Sequence, residues 1–458
     1  MAKPLKMGLI GFGNIGCGVI QALQDNRDLL DARCPRPLEL RRVCDVDLRR
    51  PRPVEVDSAL LTNDAQEVIG DPDIDVVIEL VGGIEPARTL VEAALRAGKH
   101  VVTANKAMLA RHGAELLALA AEKKVRLLFE AAVGGGMPVI RVLTECLAAN
   151  RITRIEGILN GTCNYILTRM SAAGLSFEDA LADAQKNGYA EPDPTADVES
   201  IDAANKIAIL AALAFGLDIR YEDVSREGIS KLTHDDLKAA AINGYVIKQR
   251  AVAEMDEDGG VAVSVRPTLL WKDHPLARVD GVLNGMIIEA WPVGAIHLVG
   301  PGAGPRPTAS AVLSDVMALS ALDERNAPPP PFLTIPVREK PSAHIEASCD
   351  GYWLRILSSS EFGAVADVAR ILTKHRVPTE WIEEEPQPAA GSDGALKTIR
   401  VFTGEASEEA VGRAVADFNA AAWCPPESPV LVLPLIQETS APNWGSESGE
   451  MPSSLSPI

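Results

Sequence analysis

Residues 7–16 read MGLIGFGNIG, a short apolar run followed by a turn with glycine at positions 11, 13 and 16. The run predicts a buried strand, and the residues after the turn predict a helix. In that setting the glycines are typical of a dinucleotide-binding turn, because residues without a Cβ atom let the backbone approach a pyrophosphate. The N-terminus of the helix then offers free N–H groups to the phosphate oxygens. An ordinary tight turn is the alternative, which the strand and helix units that follow disfavour.

The same alternation of strands and helices continues to about Pro138. Apolar runs lie at 38–43, 76–80, 100–103 and 125–129, and the helical stretches between them include 87–97 and 107–121. Because these runs are continuously apolar, they predict a parallel sheet covered by helices on both faces. The fold class is therefore α/β, with a Rossmann-type doubly wound parallel sheet at 1–138 that is completed by residues 301–326.

The pattern changes after this first domain. Residues 139–300 combine long helical segments with strand-like pieces and predict an α+β substrate-binding domain. A proline-rich stretch cannot be helical and predicts a linker at 327–349. Residues 350–436 show strand, helix, strand and helix in turn, which predicts a small ferredoxin-like domain. The tail at 437–458 is rich in Ser, Pro, Gly and Glu, and we expect it to be disordered.

The composition excludes several classes of function. The formal net charge of −19 at pH 7 argues against a nucleic-acid partner and against binding to an anionic membrane surface. The seven cysteines are scattered without CxxC or metal-ligand spacing, which indicates a reducing compartment. No segment has about 18 consecutive apolar residues, and the N-terminus lacks the pattern of an export signal. We therefore expect a cytoplasmic protein without a membrane contact.

The residues after the second predicted strand bear on the choice of cofactor. Residues 44–47 read C-D-V-D, and an acidic side chain here, Asp45 or Asp47, would accept hydrogen bonds from the adenosine ribose of NAD. Arg49 and Arg50 follow closely and would pair instead with the 2′-phosphate of NADP, although either could equally be a solvated surface charge. These residues alone do not decide between the two cofactors. We favour NADP(H), with NAD(H) as the alternative.

Two lysines are candidate catalytic residues. Lys106 follows the fourth predicted strand, at the carboxyl edge of the sheet, where open α/β sheets bind ligands. Asp202 and Lys206 stand four apart on one face of a helix that is apolar on nearly every side beyond them. The pair therefore predicts a pocket wall and not an exposed ion pair. A lysine with the ordinary pKa of about 10.4 is a poor acid, and burial beside a second ammonium group, such as that of Lys106, would lower that value.

Several segments together closely resemble homoserine dehydrogenases. In the order found in that family they are G-F-G-N-I-G at 11–16, T-A-N-K at 103–106, G-I-L-N-G-T at 157–162, G-Y-A-E-P-D-P at 188–194, D-A-A-N-K at 202–206 and G-A-G at 302–304. The resemblance implies reversible NAD(P)H-dependent reduction of L-aspartate 4-semialdehyde to L-homoserine, a step towards threonine, methionine and isoleucine. It also implies a homodimer or homotetramer whose subunits pair through the middle domain.

The resemblance implies a role for individual residues of these motifs. Lys206 would be the general acid, and Lys106 would assist it beside the nicotinamide. Glu191 and Asp202 would hold the substrate's ammonium group or orient the lysines, and the same pocket would be lined by Thr162, Tyr189 and Asp197. The cofactor would contact Lys106, Gly302 and the glycine turn, which consists of Gly11, Phe12, Gly13, Asn14, Ile15 and Gly16. A monovalent cation such as sodium would be bound, mostly by backbone oxygens, at Glu130, Val133, Gly135 and Met137.

Two departures from the family pattern leave questions open. Ser200 stands where the family usually has glycine. The third unit resembles an ACT domain, a module that binds amino acids for feedback control, but its first loop has Ser360 and Phe362 in place of the usual Asp and Pro. Feedback by threonine therefore stays open. The alternatives are a different amino-acid dehydrogenase on the same fold and a non-catalytic nucleotide and amino-acid sensor, which the intact Lys106 and Lys206 disfavour.

Overall fold

The computed structural model describes residues 3–322, 340–359, 363–386 and 396–437. Most of the predicted linker, at 327–339, lies outside these residues, and so do the predicted disordered tail from residue 438 onward and the loop positions Ser360 and Phe362. Within the described ranges no helix is long and apolar enough to cross a membrane.

A parallel sheet of six strands forms the first domain, as the sequence predicts. Its strands are β1 (Leu5–Ile10), β2 (Leu38–Cys44), β3 (Leu61–Thr62), β4 (Val76–Glu79), β5 (His100–Thr103) and β6 (Leu127–Leu128), and their order is β3-β2-β1-β4-β5-β6. The order reverses beside β1, so the carboxyl ends of β1 and β4 flank a ligand-binding crevice. The two-residue β3 was not predicted, because it is too short to show any periodicity.

Helices cover this sheet on both faces. They are α1 (Asn14–Asp25), α2 (Arg27–Arg33), α3 (Gln66–Ile69), α4 (Ala87–Arg96) and α5 (Lys106–Glu122). Val77 belongs to the apolar cluster of α4 and α5, whereas its neighbour Ile78 belongs to the cluster on the α1 side. Successive strand residues therefore serve opposite faces, which explains why the strands are continuously apolar.

The middle domain joins helices to one face of an antiparallel sheet. Its helices are α6 (Val139–Arg141), α7 (Gly161–Ala173), α8 (Phe177–Lys186), α9 (Thr195–Val198), α10 (Ile201–Phe215) and α11 (His234–Ile242); its strands are β7 (Arg151–Ile158), β8 (Ser225–Arg226), β9 (Tyr245–Met255), β10 (Val261–Trp271), β11 (Leu283–Trp291) and β12 (Gly294–Pro301). The alanine-rich α10 lies buried against β7, β9 and β10, and it ends at Gly216 in the left-handed conformation typical of helix C-termini.

The chain then returns to the first domain. Helix α12 (Pro305–Ser320) packs along α1, with Val312 and Val316 in the same apolar cluster as Ile20. Its position agrees with the expectation that residues after 300 complete the Rossmann unit. The turn before α12, at 300–304, therefore connects the edge strand of the middle domain to the cofactor-binding domain.

The third unit has the order βαββαβ. Its elements are β13 (Gly351–Ser358), α13 (Ala364–Lys374), β14 (Thr379–Pro386), β15 (Lys397–Thr403), α14 (Glu408–Asn419) and β16 (Leu431–Ile436). The strands are antiparallel in the order β16-β13-β15-β14, which is a ferredoxin-like arrangement. Its identity as an ACT domain stays a prediction.

This unit is not a separate appendage. Strand β16 pairs in parallel with β10, so one sheet runs through the middle domain and the third unit in the order β12-β11-β7-β9-β10-β16-β13-β15-β14. One face of its four strands is covered by α13 and α14, and the other, through Trp353 and Phe402, packs against α7 and α11. Arg355 on β13 also forms an ion pair with the buried Asp236 on α11.

Truncation of Trp353 tests this packing. Its ring is fully buried between β13 and the α7 side of the middle domain, so Trp353→Ala is expected to lower the free energy of unfolding by about 3–5 kcal/mol. Urea denaturation measures the loss. Trp381→Ala, at a ring that is 39% exposed, serves as the matched control and should cost much less. Equal losses for the two variants would show that the interface does not depend on Trp353.

Candidate active site

The three glycines of the first turn have different structural roles. Gly11 has a φ of +104°, and a Cβ atom there would lie 2.6 Å from the backbone of Leu80. A Cβ atom on Gly16 would lie 2.3 Å from the carbonyl oxygen of Gly11. At Gly13 a Cβ atom would meet nothing within 4 Å, and no side chain caps the N-terminus of α1. The turn thus leaves open space and free backbone donors where a pyrophosphate would lie.

Asp45, at the end of β2, is already engaged by protein groups. Its Oδ2 accepts a 2.7 Å hydrogen bond from the backbone N–H of Phe12, and its Oδ1 lies 3.3 Å from the guanidinium group of Arg52. Arg52 also stacks over the Phe12 ring, with its Cζ 4.5 Å from the ring centroid. The sequence did not single out Arg52. Arg52 follows Arg49 and Arg50, and this group of three basic residues was the pattern from which a role for Arg52 could have been predicted.

Lys106 is positioned by the carboxyl ends of β4 and β5. The Thr103 hydroxyl donates to the buried Glu79 carboxylate at 2.5 Å and accepts from the backbone N–H of Asn105 at 3.0 Å. The Asn105 side chain caps α5 by accepting from Met108 N–H at 3.1 Å. Lys106 is therefore the first residue of α5, at the carboxyl edge of the parallel sheet.

Ser200 positions the start of α10. It has a φ of +64°, a conformation that costs a residue with a side chain about 1–2 kcal/mol, which explains why glycine suits this position. Its hydroxyl donates to the Glu227 carbonyl at 2.6 Å and accepts from Gln249 at 2.9 Å. These two buried hydrogen bonds oppose the backbone cost, so the departure from glycine leaves the turn into α10 intact.

The carboxylate of Asp202 lies between two ammonium groups. Its Oδ2 is 2.7 Å from Lys206 Nζ, and its Oδ1 is 3.1 Å from Lys106 Nζ. Lys206 Nζ also donates to the carbonyl oxygen of Leu159 at 2.7 Å. The side chain of Lys206 is 7% exposed, whereas that of Lys106 is 42% exposed. The structure thus brings α5 of the first domain and α10 of the second together at one buried charge.

Asn160 extends this group, and the sequence did not identify it as a site residue. Its Nδ2 donates to Asp202 at 2.9 Å and to Asp197 at 2.7 Å, while its Oδ1 accepts from Cys163 N–H at the start of α7. The asparagine just before the Gly161-Thr162 helix start was a recognisable capping signal. Asn160 therefore fixes both carboxylates relative to α7.

The charges in this pocket shift the ionisation of its members. Burial disfavours the ionised form of Asp202, but the positive charges of Lys206 and Lys106 outweigh it and hold the pKa of Asp202 well below its usual range. Burial raises the pKa of Asp197. The negative charge of Asp202 raises the pKa of Lys106. The carboxylate between the two ammonium groups thus stabilises the charged form of Lys106.

The remaining predicted substrate residues, Thr162, Tyr189 and Glu191, are more exposed than Asp202. The Thr162 hydroxyl donates to the Tyr189 carbonyl at 2.7 Å, and the Tyr189 ring is 45% exposed. Glu191 is exposed, and its charge contributes to the raised pKa of Lys106. Tyr189 and Glu191 are thus exposed, whereas Asp202 and Lys206 are buried.

Two turns meet beside this pocket. Gly135 has a φ of +52°, and a Cβ atom there would lie 2.6 Å from the backbone of Gly302; Gly136 N–H donates to the Pro301 carbonyl at 2.9 Å. The Glu130 carboxylate accepts from the backbone N–H groups of Ile140 and Arg141 at 2.8 and 2.9 Å. Each oxygen of its side chain thus already accepts a backbone hydrogen bond. Among the described residues, no cluster of His, Cys, Asp and Glu is placed to hold a metal ion.

The buried ammonium group of Lys206, joined through Asp202 to Lys106 at the carboxyl edge of the dinucleotide-binding sheet, is suited to give a proton to an oxygen as hydride reaches the adjacent carbon. The open glycine turn lies at the same edge and matches the backbone requirements of a pyrophosphate. The fold and the site therefore define the class of the protein: it is a nicotinamide-dependent dehydrogenase.

Comparison with known proteins identifies the family. A profile described as "Homoserine dehydrogenase, NAD binding domain" matches residues 11–130, and one described as "Homoserine dehydrogenase" matches residues 138–317. A homoserine dehydrogenase of Pseudomonas aeruginosa is 42% identical over 91% of this chain and 96% of its own length. The crystal structure of one from Thiobacillus denitrificans superposes with a TM-score of 0.85 at 36% identity, covering 95% of this chain and 99% of that one. The chain belongs to the homoserine dehydrogenase family of NAD(P)-dependent oxidoreductases.

Replacement of Asp202 tests the electrostatics of the pocket. Because the charge of Asp202 is the main cause of the raised pKa of Lys106, Asp202→Asn is expected to lower that pKa. In the wild type the ion pair stabilises the fold below the ordinary lysine value of about 10.4 and is lost as the pH rises through the raised value. The pH dependence of reductive methylation at Lys106, followed by mass spectrometry, measures the shift. Asp193→Asn, an exposed change in the neighbouring loop, should leave it unaltered.

Proposed function

We propose that this chain interconverts L-homoserine and L-aspartate 4-semialdehyde with Lys206 as the general acid and base. The observation that supports this proposal is the Lys106–Asp202–Lys206 group, in which one carboxylate oxygen lies 3.1 Å and the other 2.7 Å from the two ammonium nitrogens. The bound nicotinamide would supply or accept the hydride. The protein's own groups then need only to hold the substrate and move one proton.

The proton step follows from the partners of Lys206. In the reducing direction its Nζ gives a proton to the aldehyde oxygen as the carbonyl carbon accepts hydride, so the C=O bond becomes CH–OH. In the oxidising direction the neutral amine takes the hydroxyl proton back. Asp202 and the Leu159 carbonyl each accept a hydrogen bond from Nζ, and they orient the ammonium group. Lys106 pairs with the other oxygen of Asp202 and would assist Lys206.

The substrate's own charges match the pocket. A homoserine or aspartate semialdehyde molecule carries an ammonium group, which Asp202 and the exposed Glu191 would attract. Asp197, held by Asn160 at 2.7 Å, lies beside them. Thr162 and Tyr189 form the open side of the pocket, where a hydroxyl and an aromatic ring would contact the rest of a small amino acid.

The adenosine end favours NADP(H) over NAD(H). The carboxylate of Asp45 already accepts from Phe12 N–H and pairs with Arg52, so it is poorly placed to serve a ribose hydroxyl as well. Arg49 and Arg50 are exposed at the same edge and add positive charge. A structure titled "Hyperthermophilic archaeal homoserine dehydrogenase in complex with NADPH" superposes with a TM-score of 0.58 at 27% identity, covering 70% of this chain and all of that one.

A monovalent cation would bind at the turn that contains residues 130–137 and would stabilise its contact with Gly302. Glu130, Val133, Gly135 and Met137 lie in one turn, and Gly135 packs directly against Gly302. Backbone oxygens suit a hard cation such as sodium. The cation would hold the turn that meets the cofactor and would take no part in the proton transfer.

The third unit is suited to a regulatory role. An ACT-like role for residues 350–436 is supported by the ferredoxin-like strand order and by direct packing on α7, whose N-terminus carries Thr162.

We place the enzyme in the cytoplasm as a homodimer or homotetramer. Strand β12 is the edge of the large sheet, and alternate residues along it are exposed, including Val299, so it is suited to pair with a second copy.

Turnover with L-homoserine tests the proposed function. Reduced-nicotinamide absorbance should rise with L-homoserine and NADP, and Lys206→Ala should lower kcat by at least about a hundredfold while NADP still binds. Lys186→Ala, at an exposed lysine of α8, should keep full activity. Removal of sodium should lower the rate, and added L-threonine tests the third unit. Binding of NADP and L-homoserine without any turnover would favour the alternative of a non-catalytic nucleotide and amino-acid sensor.

The choice of cofactor is tested at Arg50. If its guanidinium group binds the 2′-phosphate, Arg50→Ala loses a charge-assisted hydrogen bond, which corresponds to roughly a tenfold or larger rise in KM for NADP. The KM for NAD should not rise. Arg33→Ala, an exposed arginine on α2, is the control for net charge. A parallel rise for both cofactors would contradict the assignment.

A further inference from the structure

The side chain of Asn284 is buried without a hydrogen-bond partner. This residue on β11 is 1% exposed, and neither its Nδ2 nor its Oδ1 has a partner among the described residues. A buried polar group left unpaired costs about 1–3 kcal/mol, and folded proteins contain few of them. A carboxamide with both ends unpaired therefore points to a group that the polypeptide itself does not provide.

The Asn284 carboxamide lies where the two halves of the active site meet. It is on the same face of the sheet as Met286 and Ile288, which belong to the apolar cluster of α10. A Cβ atom on Gly302 would lie 2.0, 2.2 and 2.3 Å from its Cγ, Oδ1 and Nδ2. A Cβ atom on Gly161, at the start of α7, would lie 3.5 Å from its Oδ1. The carboxamide thus lies between the predicted cofactor turn and the substrate helix.

The chemistry of Asn284 limits its partner. A carboxamide offers N–H donors at one end and an acceptor at the other, so a ligand that satisfies both must present an acceptor beside a donor. A second primary carboxamide does so through a pair of hydrogen bonds. The nicotinamide ring carries such a group next to the carbon that transfers hydride.

We propose that Asn284 binds the carboxamide of the nicotinamide ring and sets the rotation of that ring in the cleft. This inference rests on the proposed cofactor and adds a positioning residue to it. The backbone of Gly302 covers the amide, so the ring can reach Asn284 only if the 302–304 turn moves away from β11. The absence of a side chain at position 302 leaves only backbone to be displaced, and Gly304, with a φ of +111°, gives the turn a second flexible position.

The test compares two ligands that differ in the ring. NADPH carries the nicotinamide, whereas 2′-phospho-ADP-ribose is the same nucleotide without it, and calorimetry gives the Kd of each. Asn284→Ala is expected to weaken NADPH by roughly tenfold, which is about 1.4 kcal/mol, and to leave 2′-phospho-ADP-ribose unchanged. An equal loss for both ligands would reduce Asn284 to a structural role, and no loss for either would assign its amide to a buried water.

Asn164→Ala is the matched control. Asn164 is as deeply buried and lies beside the same strand, but its amide is fully partnered by the carbonyls of Val279 and Leu283 and by Lys248. This variant should lose stability without a difference between the two ligands.

A second measurement does not depend on the alanine variant folding. The 3-acetylpyridine analogue of NADPH keeps the acceptor but lacks the amide donor, so it should bind the wild type several-fold more weakly than NADPH. Asn284→Leu, which keeps the approximate side-chain shape but offers no acceptor, should remove most of that difference, and Asn284→Asp, which keeps an acceptor, should preserve it. Equal binding of NADPH and the analogue by the wild type would overturn the proposal. Failure of the wild type to bind NADPH at all would instead contradict the cofactor assignment.

Discussion

The site depends on one buried carboxylate that forms ion pairs with two ammonium groups from different domains. Removing Asp202 and Lys206 from water is costly, and only their ion pair, the second pair with the partly exposed Lys106 and the added hydrogen bond from Asn160 offset that cost. Because Lys106 begins α5 and Lys206 lies on α10, the ion pairs also fix how the two helices meet. The contact of Arg111 on α5 with Asn205 on α10, at 3.0 Å, strengthens the same junction. The charge arrangement and the domain arrangement therefore support each other.

The continuous sheet extends this constraint to the third unit. Strand β16 pairs with β10, and Trp353 packs beside Ile166 and Leu167 of α7. The first turn of α7 carries Thr162 and follows Asn160, which holds the two site carboxylates. A change in the packing of the third unit could be transmitted to the pocket through α7, because this helix contacts both. This arrangement is physically suited to regulation whether or not an amino acid binds there.

Much of the fold could be predicted because its strongest signals are local. A short stretch of sequence is enough to recognise the glycine turn, the buried strands of the first domain and the amphipathic helices α13 and α14. The elements that escaped prediction lack such signals. Strand β9 carries Lys248 and Arg250, which are buried only because Asp280 and Glu156 lie opposite them. Strand β14 is rich in glutamate, and β16 contains Pro434, which argues against a strand in the middle of a sheet.

The sequence by itself determined the α/β class, the family resemblance, the dinucleotide turn and the two lysines, because each rests on residue types at fixed short spacings. The tertiary structure decided which of these groups meet. It brought the lysines to opposite oxygens of Asp202, engaged Asp45 with Phe12 and Arg52, and left Asn284 unpaired beneath Gly302. These contacts join residues far apart in the chain. Their geometry is set by the packing of α5 on α10 and of the 300–304 turn on β11, which no local periodicity records.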